Sequence, residues 1–520
     1  MVRLQSYVLG GWHEGAAPFR TLIDPSTEEV VAETSTAGID FAAVLDHART
    51  VGGPALRAMT FAERGALLKA MSKALFAERE SLIEVAMTNG GNTRGDAKFD
   101  IDGATATLSY YAYLGKKLGD RRVLTDGESE ALLPNNARFH GLHLKVPKRG
   151  AAIQINAFNF PAWGTFEKAA VSLLAGVPVV TKPATATAWL AYEMTRVLVD
   201  ADILPAGTFQ FIGGSPGDML SHVQGQDVIA FTGSADTGAK IRGGAGHVAG
   251  SAAVNVEADS LNATVLGPDV GRGDDLWHWF VQGIRLEMTQ KAGQKCTAVR
   301  RILVPAGLVE ALVEDLSAEL DRVVIGDPRE EGVRMGPLSD MSQLRDYREG
   351  VAELSGEAVV VYGSPTEVDA KRRVEGKGAF ASPVLLRCDD PHEANRVHSR
   401  EVFGPVATVM AYDGTAGDAA CLVARGGGSL VSSIATSDRG FLQELALEAA
   451  AWNGRLLLVD KKVHDQVTPH GMVLPSCQHG GPGRAGGGAE LGGLRGLDLY
   501  LQRSALQGNS GLLKKLFSEA

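Results

Sequence analysis

The chain has 520 residues, 45% of them hydrophobic and 22% charged, which is enough for two or three domains with large apolar cores. A formal net charge of -10 argues against nucleic acid as the main partner, because phosphate backbones attract clusters of Lys and Arg. The longest apolar run is too short to span a bilayer and the four cysteines show neither a CxxC pair nor metal-like spacing, so we expect a cytoplasmic protein with no membrane contact, disulfide framework or metal site.

The first half of the chain predicts one strong helix and then an alternation of strands and helices. Thr60 and Glu63 form a capping-box pattern, and apolar residues at near-helical spacing follow as far as Ile83. Four short apolar runs come later, at residues 151–155, 177–180, 208–212 and 228–231. Helix-length segments alternate with these runs and begin near Trp163, Thr187, Gly217 and Asp236. Such alternation predicts parallel strands joined by crossover helices, with a nucleotide site at the strand ends.

The second half of the chain also alternates between strand and helix candidates, which predicts a second α/β domain. Its strand candidates are residues 301–304, 358–362, 406–412 and 455–459, and a helical run covers residues 308–320. Two further segments, residues 137–148 and 498–503, are expected to be extended. Such peripheral strands either add to the sheet of a neighbouring subunit or form a local hairpin, and the sequence leaves both readings open.

Two glycine-containing motifs give only weak support to other functions. Residues 213–217 match the G-x-S-x-G nucleophile elbow of serine hydrolases, but Ser215 is followed by Pro216, which has no N–H for an oxyanion hole. We therefore do not expect a serine hydrolase. The glycines of this motif are expected to turn the chain or to let the backbone approach a ligand. Residues 480–488 follow no clear strand, which predicts a flexible surface loop rather than a phosphate-binding motif.

Three residues in separate parts of the chain have the chemistry needed to oxidise an aldehyde through a thioester. Cys296 offers a soft nucleophile, Asn159 a donor for the negative oxygen, and Glu257 a base that can activate water. Taken singly, each has an ordinary alternative. A lone Cys is commonly a small buried hydrophobe, a lone Glu a solvated charge, and Asn-Phe-Pro a simple loop.

A series of motifs resembles the aldehyde dehydrogenase superfamily in order and in separation over nearly the whole chain. The motifs are Phe158-Asn159-Phe160-Pro161, Thr181-Lys182-Pro183-Ala184, Phe231-Thr232-Gly233-Ser234, Glu257, Gly293-Gln294-Lys295-Cys296 and Glu401-Val402-Phe403-Gly404-Pro405. The resemblance implies an α/β fold with three parts. They are a Rossmann-like cofactor domain (residues 1–136 and 150–256), an α/β catalytic domain (257–480) and a small β oligomerisation element (137–149 and 491–520). A homo-oligomer is implied, with a dimer favoured.

The same resemblance implies a catalytic role for five residues. Cys296 would attack the aldehyde while the Asn159 amide and the Cys296 backbone N–H hold the oxyanion. Glu257 would then activate water to hydrolyse the thioacyl enzyme, so the product is a free acid. Lys168 and Glu490 look like proton-relay partners of that base, and an exposed or ion-paired charge is the ordinary alternative for both.

The cofactor is also implied by resemblance. Members of the family that prefer NAD often carry Glu three residues after the Lys of the Lys-Pro motif, where it binds the adenine-ribose hydroxyls. Here Lys182 is followed at that position by Thr185, which removes charge repulsion against a 2′-phosphate, so NADP is expected and NAD is the alternative. The residues expected at the cofactor are Lys182, Thr185, Gly233, Ser234, Glu401 and Phe403.

A narrower resemblance suggests the substrate. Residues 157–168, 254–260 and 479–484 are similar to one branch of the family, which oxidises semialdehydes of CoA thioesters in aerobic aromatic degradation. Two-domain members of that branch add a C-terminal hydratase of the hot-dog fold, and the thirty residues after Glu490 leave no room for one. The expected substrate is therefore 3,4-dehydroadipyl-CoA semialdehyde, in benzoate degradation. The alternatives are another CoA-linked or free semialdehyde, a CoA-acylating dehydrogenase, which Glu257 argues against, and an inactive structural relative.

Overall fold

The computed structural model describes residues 1–371 and 376–517 and contains two seven-stranded sheets. In the first sheet the strands run, from edge to edge, Ala253–Glu257, Val228–Thr232, Ala152–Ile155, Val179–Lys182, Phe209–Phe211, Ser6–Val8 and Gly11–His13. The first five of these are parallel, and the last two pair antiparallel. The four strands predicted in this region are confirmed, because short apolar runs buried on both faces are typical of parallel strands.

The order of these strands creates a crevice at their carboxyl ends. From the central strand Ala152–Ile155 the chain first adds strands on one side and then returns to add Val228–Thr232 on the other. The carboxyl ends on either side of such a reversal form a crevice that commonly holds a nucleotide. Lys182 and Gly233 stand at the ends of the two strands that flank the central one.

The second sheet is also mostly parallel. Its strands run, from edge to edge, Val359–Tyr362, Val384–Cys388, Val406–Tyr412, Arg301–Pro305, Ala263–Leu266, Ser429–Ala435 and Asn453–Val459. Only Val359–Tyr362 pairs antiparallel within it. The four predicted strands of this half are present, and the helical run at residues 308–320 forms the helix Val309–Leu320.

A separate four-stranded sheet contains the two peripheral segments. The long strand Asn136–Pro147 pairs antiparallel with Leu501–Asn509, and with Leu124–Thr125 and Glu130–Leu133. The prediction of an extended segment at residues 498–503 is wrong for its first part, because a 3-10 turn occupies Gly493–Leu499 before the strand begins. The small sheets are Val2–Leu4 with Val30–Thr34 and Arg20–Ile23, Ile325–Gly326 with Ala370–Lys371, and Gln478–Gly480 with Ala489–Leu491.

The α-helices pack on the faces of these sheets. Their bounds are Phe41–His47, Gly53–Ala58, Phe61–Ala77, Arg79–Gly90, Arg94–Leu118, Trp163–Ala175, Ala188–Asp200, Ala235–Arg242, Ala245–Gly250, Asp275–Thr289, Val309–Leu320, Met341–Leu354, Ala416–Ala424, Arg439–Ala450 and Ser510–Phe517. Among the described residues, no helix is long and apolar enough to cross a membrane. The four cysteines are free thiols.

Two helix predictions need correction. Thr60 caps its helix as predicted, since its hydroxyl accepts from Glu63 N at 3.2 Å and its own N–H donates to Glu63 Oε2 at 2.7 Å. That helix ends at Ala77, however, and a second one starts at Arg79, because the backbone of Glu78 leaves helical geometry. The helix expected near Gly217 is a 3-10 turn, Met219–His222, since Gly217 has a left-handed φ of 50° that interrupts a helix.

Candidate active site

Cys296 stands in the loop that follows the 3-10 turn Gln290–Gly293. Two residues of this turn have left-handed backbone angles, with φ 53° at Lys291 and φ 52° at Ala292, which is costly for residues that carry a Cβ. The buried Lys291 ammonium donates to Asn92 Oδ1 at 2.7 Å and anchors the turn. The chain is therefore held in a strained conformation directly before the predicted nucleophile.

The backbone around Cys296 is also fixed by two buried side chains. Arg300 donates to Gly404 O at 2.8 Å and to Gly293 O at 2.9 Å. Asn262 donates through Nδ2 to Cys296 O at 2.8 Å. These bonds hold the backbone on either side of Cys296 in place.

Asn159, the predicted oxyanion donor, lies beside this loop. Its side chain is buried, and Nδ2 donates to Gln294 O at 3.0 Å. An amide nitrogen carries two hydrogens, so one N–H fixes the side chain and the other remains available. Asn159 and Cys296 line the same cavity.

This cavity, of about 40 Å³, brings together most of the predicted catalytic residues. Its polar lining comprises Asn159, Glu167, Lys168, Thr232, Glu257, Cys296, Thr297 and His479. Aromatic side chains form part of the wall, where Phe99 meets Phe160 and Trp163 at ring-centroid distances of 5.9 and 5.3 Å. An apolar wall opposite a few polar groups is the usual composition of a small-molecule site.

Glu257 ends the strand Ala253–Glu257 and is almost completely buried. His479 Nε2 lies 3.2 Å from Glu257 Oε2, and this ion pair is not anticipated by the sequence. Burial by itself raises the pKa of a carboxyl, but His479 and Lys168 outweigh it and hold the pKa of Glu257 at about 2. Glu257 Oε2 accepts no hydrogen bond of good geometry within the described part of the chain, so it can receive one from water.

Lys168 lies between two buried carboxylates. Its Nζ is 3.0 Å from Glu490 Oε2 and 3.2 Å from Glu167 Oε1, and Glu490 Oε1 also accepts from Asn255 Nδ2 at 3.1 Å. Although burial disfavours the charge, Glu490 and Glu167 hold the pKa of Lys168 above its usual range. Burial raises the pKa of Glu490 to about 7 against the effect of Lys168. One carboxylate oxygen each of Glu167, Glu257 and Glu490 lies within 4.8 Å of the others.

The thiol of Cys296 is a weak acid in these surroundings. Burial raises its pKa well above the usual range, and the neighbouring Glu257 carboxylate raises it further. In the free protein the group is therefore a thiol at neutral pH, and a base must remove its proton before it can attack a carbonyl.

The glycine-rich run at residues 480–488 is not the flexible surface loop that we predicted. It begins on the strand Gln478–Gly480 and packs its backbone against the strand that ends at Glu257. A Cβ on Gly486 or Gly488 would come within 2.2 or 2.4 Å of Val256 O. Glycine is used here for close approach. The run is flanked by His479, which lines the cavity, and by Glu490, which pairs with Lys168.

The predicted cofactor residues lie around the crevice of the first sheet. Lys182 ends one of its strands, Thr185 begins the 3-10 turn Thr185–Thr187, and Ser234 caps the helix Ala235–Arg242. Burial lowers the pKa of Lys182 to about 8. Gly233 directly precedes Ser234 and its N–H donates to Glu257 O at 3.2 Å.

Glu401 and Phe403 lie near the nucleophile loop. Glu401 Oε2 accepts from Ser260 N at 3.0 Å, while Oε1 makes no hydrogen bond within the described residues and is 3.6 Å from Arg300 Nε. Burial raises the pKa of Glu401 to about 7, and Arg300 opposes this shift. The Phe403 ring meets Phe158 edge to face at 5.6 Å.

Comparisons with known proteins show the family and the fold. The profile of the Aldehyde dehydrogenase family matches residues 12–487. The 3,4-dehydroadipyl-CoA semialdehyde dehydrogenase of Aromatoleum evansii is 47% identical over 481 residues, which cover 92% of this chain and 93% of that protein. Two solved structures share the fold. They are 3,6-anhydro-L-galactose dehydrogenase in complex with NAP (TM-score 0.83, 21% identity, 98% of this chain and 100% of that one) and betaine aldehyde dehydrogenase from Staphylococcus aureus in complex with NAD+ (TM-score 0.82, 22% identity, 98% and 95%).

The chain belongs to the aldehyde dehydrogenase family. It is an NAD(P)-dependent oxidoreductase that acts on aldehydes, and the fold class expected from the sequence motifs is confirmed. The serine-hydrolase motif is a turn, since Ser215 is exposed and its hydroxyl accepts from Gly217 N at 3.2 Å.

Proposed function

We propose that this enzyme oxidises a CoA-linked semialdehyde to the carboxylic acid, with 3,4-dehydroadipyl-CoA semialdehyde as the first candidate, in aerobic benzoate degradation. The observation that carries the chemistry is the meeting of Cys296, Asn159 and Glu257 at one buried cavity. The substrate rests on the 47% identity to the relative of that name over 92% of the chain. The fold alone does not require these three side chains to meet at one cavity. Their presence there argues against an inactive structural relative.

The first half of the reaction uses the nucleophile loop. Cys296 Sγ forms a bond to the aldehyde carbon, its proton leaves to a base, and the carbonyl electron pair moves to oxygen. The free Asn159 N–H and the Cys296 backbone N–H stabilise the resulting oxyanion. The nicotinamide cofactor, when bound, supplies the acceptor for the hydride. The product of this half is a thioacyl enzyme on Cys296.

Hydrolysis then depends on two carboxyls with very different proton affinities. Glu257 takes a proton from water, but with a pKa of about 2 it holds that proton only briefly. Glu490, with a pKa of about 7, holds a proton more strongly than Glu257 does. Lys168 lies within ion-pair distance of Glu490. Titratable neighbours whose pKa values are pushed apart commonly divide the acid and base roles. We therefore propose that protons pass from Glu257 towards Glu490.

The residues around the crevice of the first sheet, together with Glu401 and Phe403 near the nucleophile loop, fit a nicotinamide cofactor. The buried Glu401 Oε1 has no hydrogen-bond donor in the described chain and could accept from a ribose hydroxyl. Gly233 and Ser234 stand at the start of a helix, where pyrophosphate is favoured, and Phe403 offers a ring for packing. Lys182 supplies a cation and Thr185 no negative charge, so we propose NADP as the preferred cofactor and NAD as the alternative.

Three further features belong to this proposal. The cofactor domain would comprise residues 1–136 and 150–256, the catalytic domain 257–480, and the oligomerisation element 137–149 and 491–520. The strand Leu501–Asn509 lies at the edge of its sheet, which supports pairing with a second subunit in a homodimer. We propose a cytoplasmic location from the cysteine usage of the sequence.

The size of the cavity constrains how a CoA thioester would bind. A space of about 40 Å³ holds only the reacting end of a substrate, so the CoA moiety would remain outside it. The test is a panel of semialdehydes with and without CoA, assayed by the absorbance of the reduced nicotinamide. We expect the highest kcat/KM with the CoA-linked dehydroadipyl compound. Higher efficiency with free semialdehydes would refute the substrate proposal. A new thioester at the oxidised carbon, formed from added free CoA in place of a carboxylate, would favour the CoA-acylating alternative.

A further inference from the structure

His479 is a buried member of the catalytic cavity to which the motif analysis gives no role. It lies on the strand Gln478–Gly480, directly opposite Glu490 in the antiparallel pair with Ala489–Leu491, and is 4% exposed. Its Nε2 is 3.2 Å from Glu257 Oε2. A ring nitrogen of His479, a carboxylate oxygen of Glu257 and Sγ of Cys296 all lie within 4.8 Å of one another. The imidazole is therefore close to both predicted reacting groups.

We propose that His479 is a positioning residue of the hydrolytic step, which pairs with Glu257, holds that carboxylate beside Cys296 and supplies the countercharge that lets it work as a base. This inference rests on the proposed roles of Cys296 and Glu257.

The charges in the cavity require a second cation. Carboxylate oxygens of Glu167, Glu257 and Glu490 lie within 4.8 Å of one another, and Lys168 is the one ammonium that pairs with this group among the described residues. A buried carboxylate without a partner is strongly destabilised, and like charges at such distances repel. Lys168 is already shared by Glu167 and Glu490. His479 supplies a positive charge to Glu257.

The groups that face His479 come from the loop of Cys296 and from four further elements. Glu257 and Glu490 approach from the adjoining strands, Glu167 from the helix Trp163–Ala175, and Arg455 from the strand Asn453–Val459. Burial and Arg455 lower the pKa of His479, but Glu257 and Glu167 outweigh them and raise it above the usual range. The imidazolium therefore persists to higher pH than in a free imidazole and is lost as pH rises through that raised pKa.

The step that depends on this pair can be isolated from hydride transfer. An activated chromogenic ester acylates Cys296 directly, because Sγ attacks its carbonyl and the phenolate leaves with the bonding pair. In the next step water forms a C–O bond and gives its proton to Glu257, while the C–S bond breaks and its electron pair returns to Sγ. A burst of phenolate counts acylated thiols, and the slower release that follows measures hydrolysis, with no cofactor present.

The test compares the pH dependence of that hydrolysis in two backgrounds. Glu490→Gln removes the carboxyl that titrates near neutrality, so hydrolysis should be slower. Its rate should not fall as pH is lowered from about 7 to about 5, because Glu257 stays ionised over that range and no acid limb appears in the pH profile. Adding His479→Phe takes away the countercharge, so the pKa of the buried Glu257 should rise. We expect a new acid limb in the double variant, with its midpoint between about pH 5 and pH 7. His479→Gln keeps a hydrogen-bond donor but no charge, so the Glu490→Gln variant that also carries it should show an acid limb at lower pH than the His479→Phe double variant.

The matched control is another buried histidine. His398 is 4% exposed, bonds to Pro391 O and lies outside the cavity lining, and burial lowers its pKa to about 4. His398→Gln in the Glu490→Gln background should leave the pH profile flat. A flat profile in the His479→Phe double variant, with a full burst and an unchanged melting temperature, would overturn the proposal. Loss of the burst in an enzyme with intact His479 would instead count against the role of Cys296.

Discussion

Lys168 Nζ lies 3.0 Å from Glu490 Oε2, in a contact between a helix of the first half of the chain and a strand near its C-terminus. The ordinary alternative for both residues is an exposed or ion-paired charge. Both side chains are buried, so they are not exposed charges, but they do form an ion pair. Breaking a buried pair by removing one charge is costly because the other is left without compensation. The contact ties the helix that follows Asn159 to the glycine-rich run that carries His479.

The first prediction concerns the pH dependence of the native enzyme. With a pKa of about 7, Glu490 accepts a proton only when it is ionised, so hydrolysis should fall as pH drops through about 7. Glu490→Gln should abolish this acid limb and lower kcat at all pH values. Steady-state kcat against pH provides the measurement, and Glu167→Gln, which alters a neighbouring carboxylate, should retain the limb. An unchanged limb in Glu490→Gln would contradict the relay.

Cys296→Ala should abolish aldehyde oxidation while leaving cofactor binding intact. No other side chain of the cavity lining is a thiol, and loss of a covalent nucleophile typically removes several orders of magnitude in rate. Rates of cofactor reduction and cofactor binding by fluorescence give the two readouts. The exposed Cys421 supplies the control, since Cys421→Ala should behave as wild type. Substantial turnover by pure Cys296→Ala would refute the assignment.

Glu257→Gln should separate the two halves of the reaction. Acylation can still proceed if another base or water takes the thiol proton, whereas hydrolysis loses its base. We expect a burst of reduced cofactor of about one equivalent per site, followed by slow turnover. Stopped-flow absorbance resolves the two phases. If burst and steady state decline together, Glu257 also acts before the thioester forms.

The parts of the fold that could be predicted are those in which local sequence and tertiary burial agree. Buried parallel strands require short apolar runs, and the capping box of Thr60 bonds within its own helix. The break at Glu78 was missed because apolar spacing continues across it into the next helix. Periodicity reports which face is buried, and it does not report a change in helix direction.

The candidate site shows a similar limit. Cys296, Asn159 and Glu257 are predicted from family motifs whose chemistry assigns them a role. Glu167 and His479 lie in segments that indicate only a branch of the family, and their place at the site depends on contacts with Lys168 and Glu257 that the sequence does not show. The glycine-rich run was misread because glycine permits both a mobile loop and a close backbone contact. Which of these applies depends on Val256, a residue brought against the run by the fold.

A prediction for Lys182 follows from its lowered pKa of about 8. Its ammonium is charged below that pH and loses its proton above it, so attraction to a 2′-phosphate should weaken as pH rises through about 8. We expect kcat/KM for NADP to fall there relative to kcat/KM for NAD. Lys182→Arg, which keeps its charge, should remove this dependence. Parallel profiles for both cofactors in the native enzyme would show that Lys182 does not contact the phosphate.

The last prediction is that the enzyme prefers NADP and that Thr185→Glu reverses or erases the preference. A carboxylate at this position can accept hydrogen bonds from the two ribose hydroxyls of NAD, but it repels a phosphate that carries nearly two negative charges. At an effective dielectric near 20, a like-charge contact at about 4 Å is worth up to a few kcal/mol, hence roughly a tenfold or larger change in selectivity. The ratio of kcat/KM for the two cofactors should be measured for the native enzyme and the variant. Thr185→Val is the matched control, because it removes the hydroxyl without adding charge and should preserve most of the NADP preference. A native enzyme that is equally or more efficient with NAD would mean that Lys182 and the missing carboxylate do not decide the cofactor.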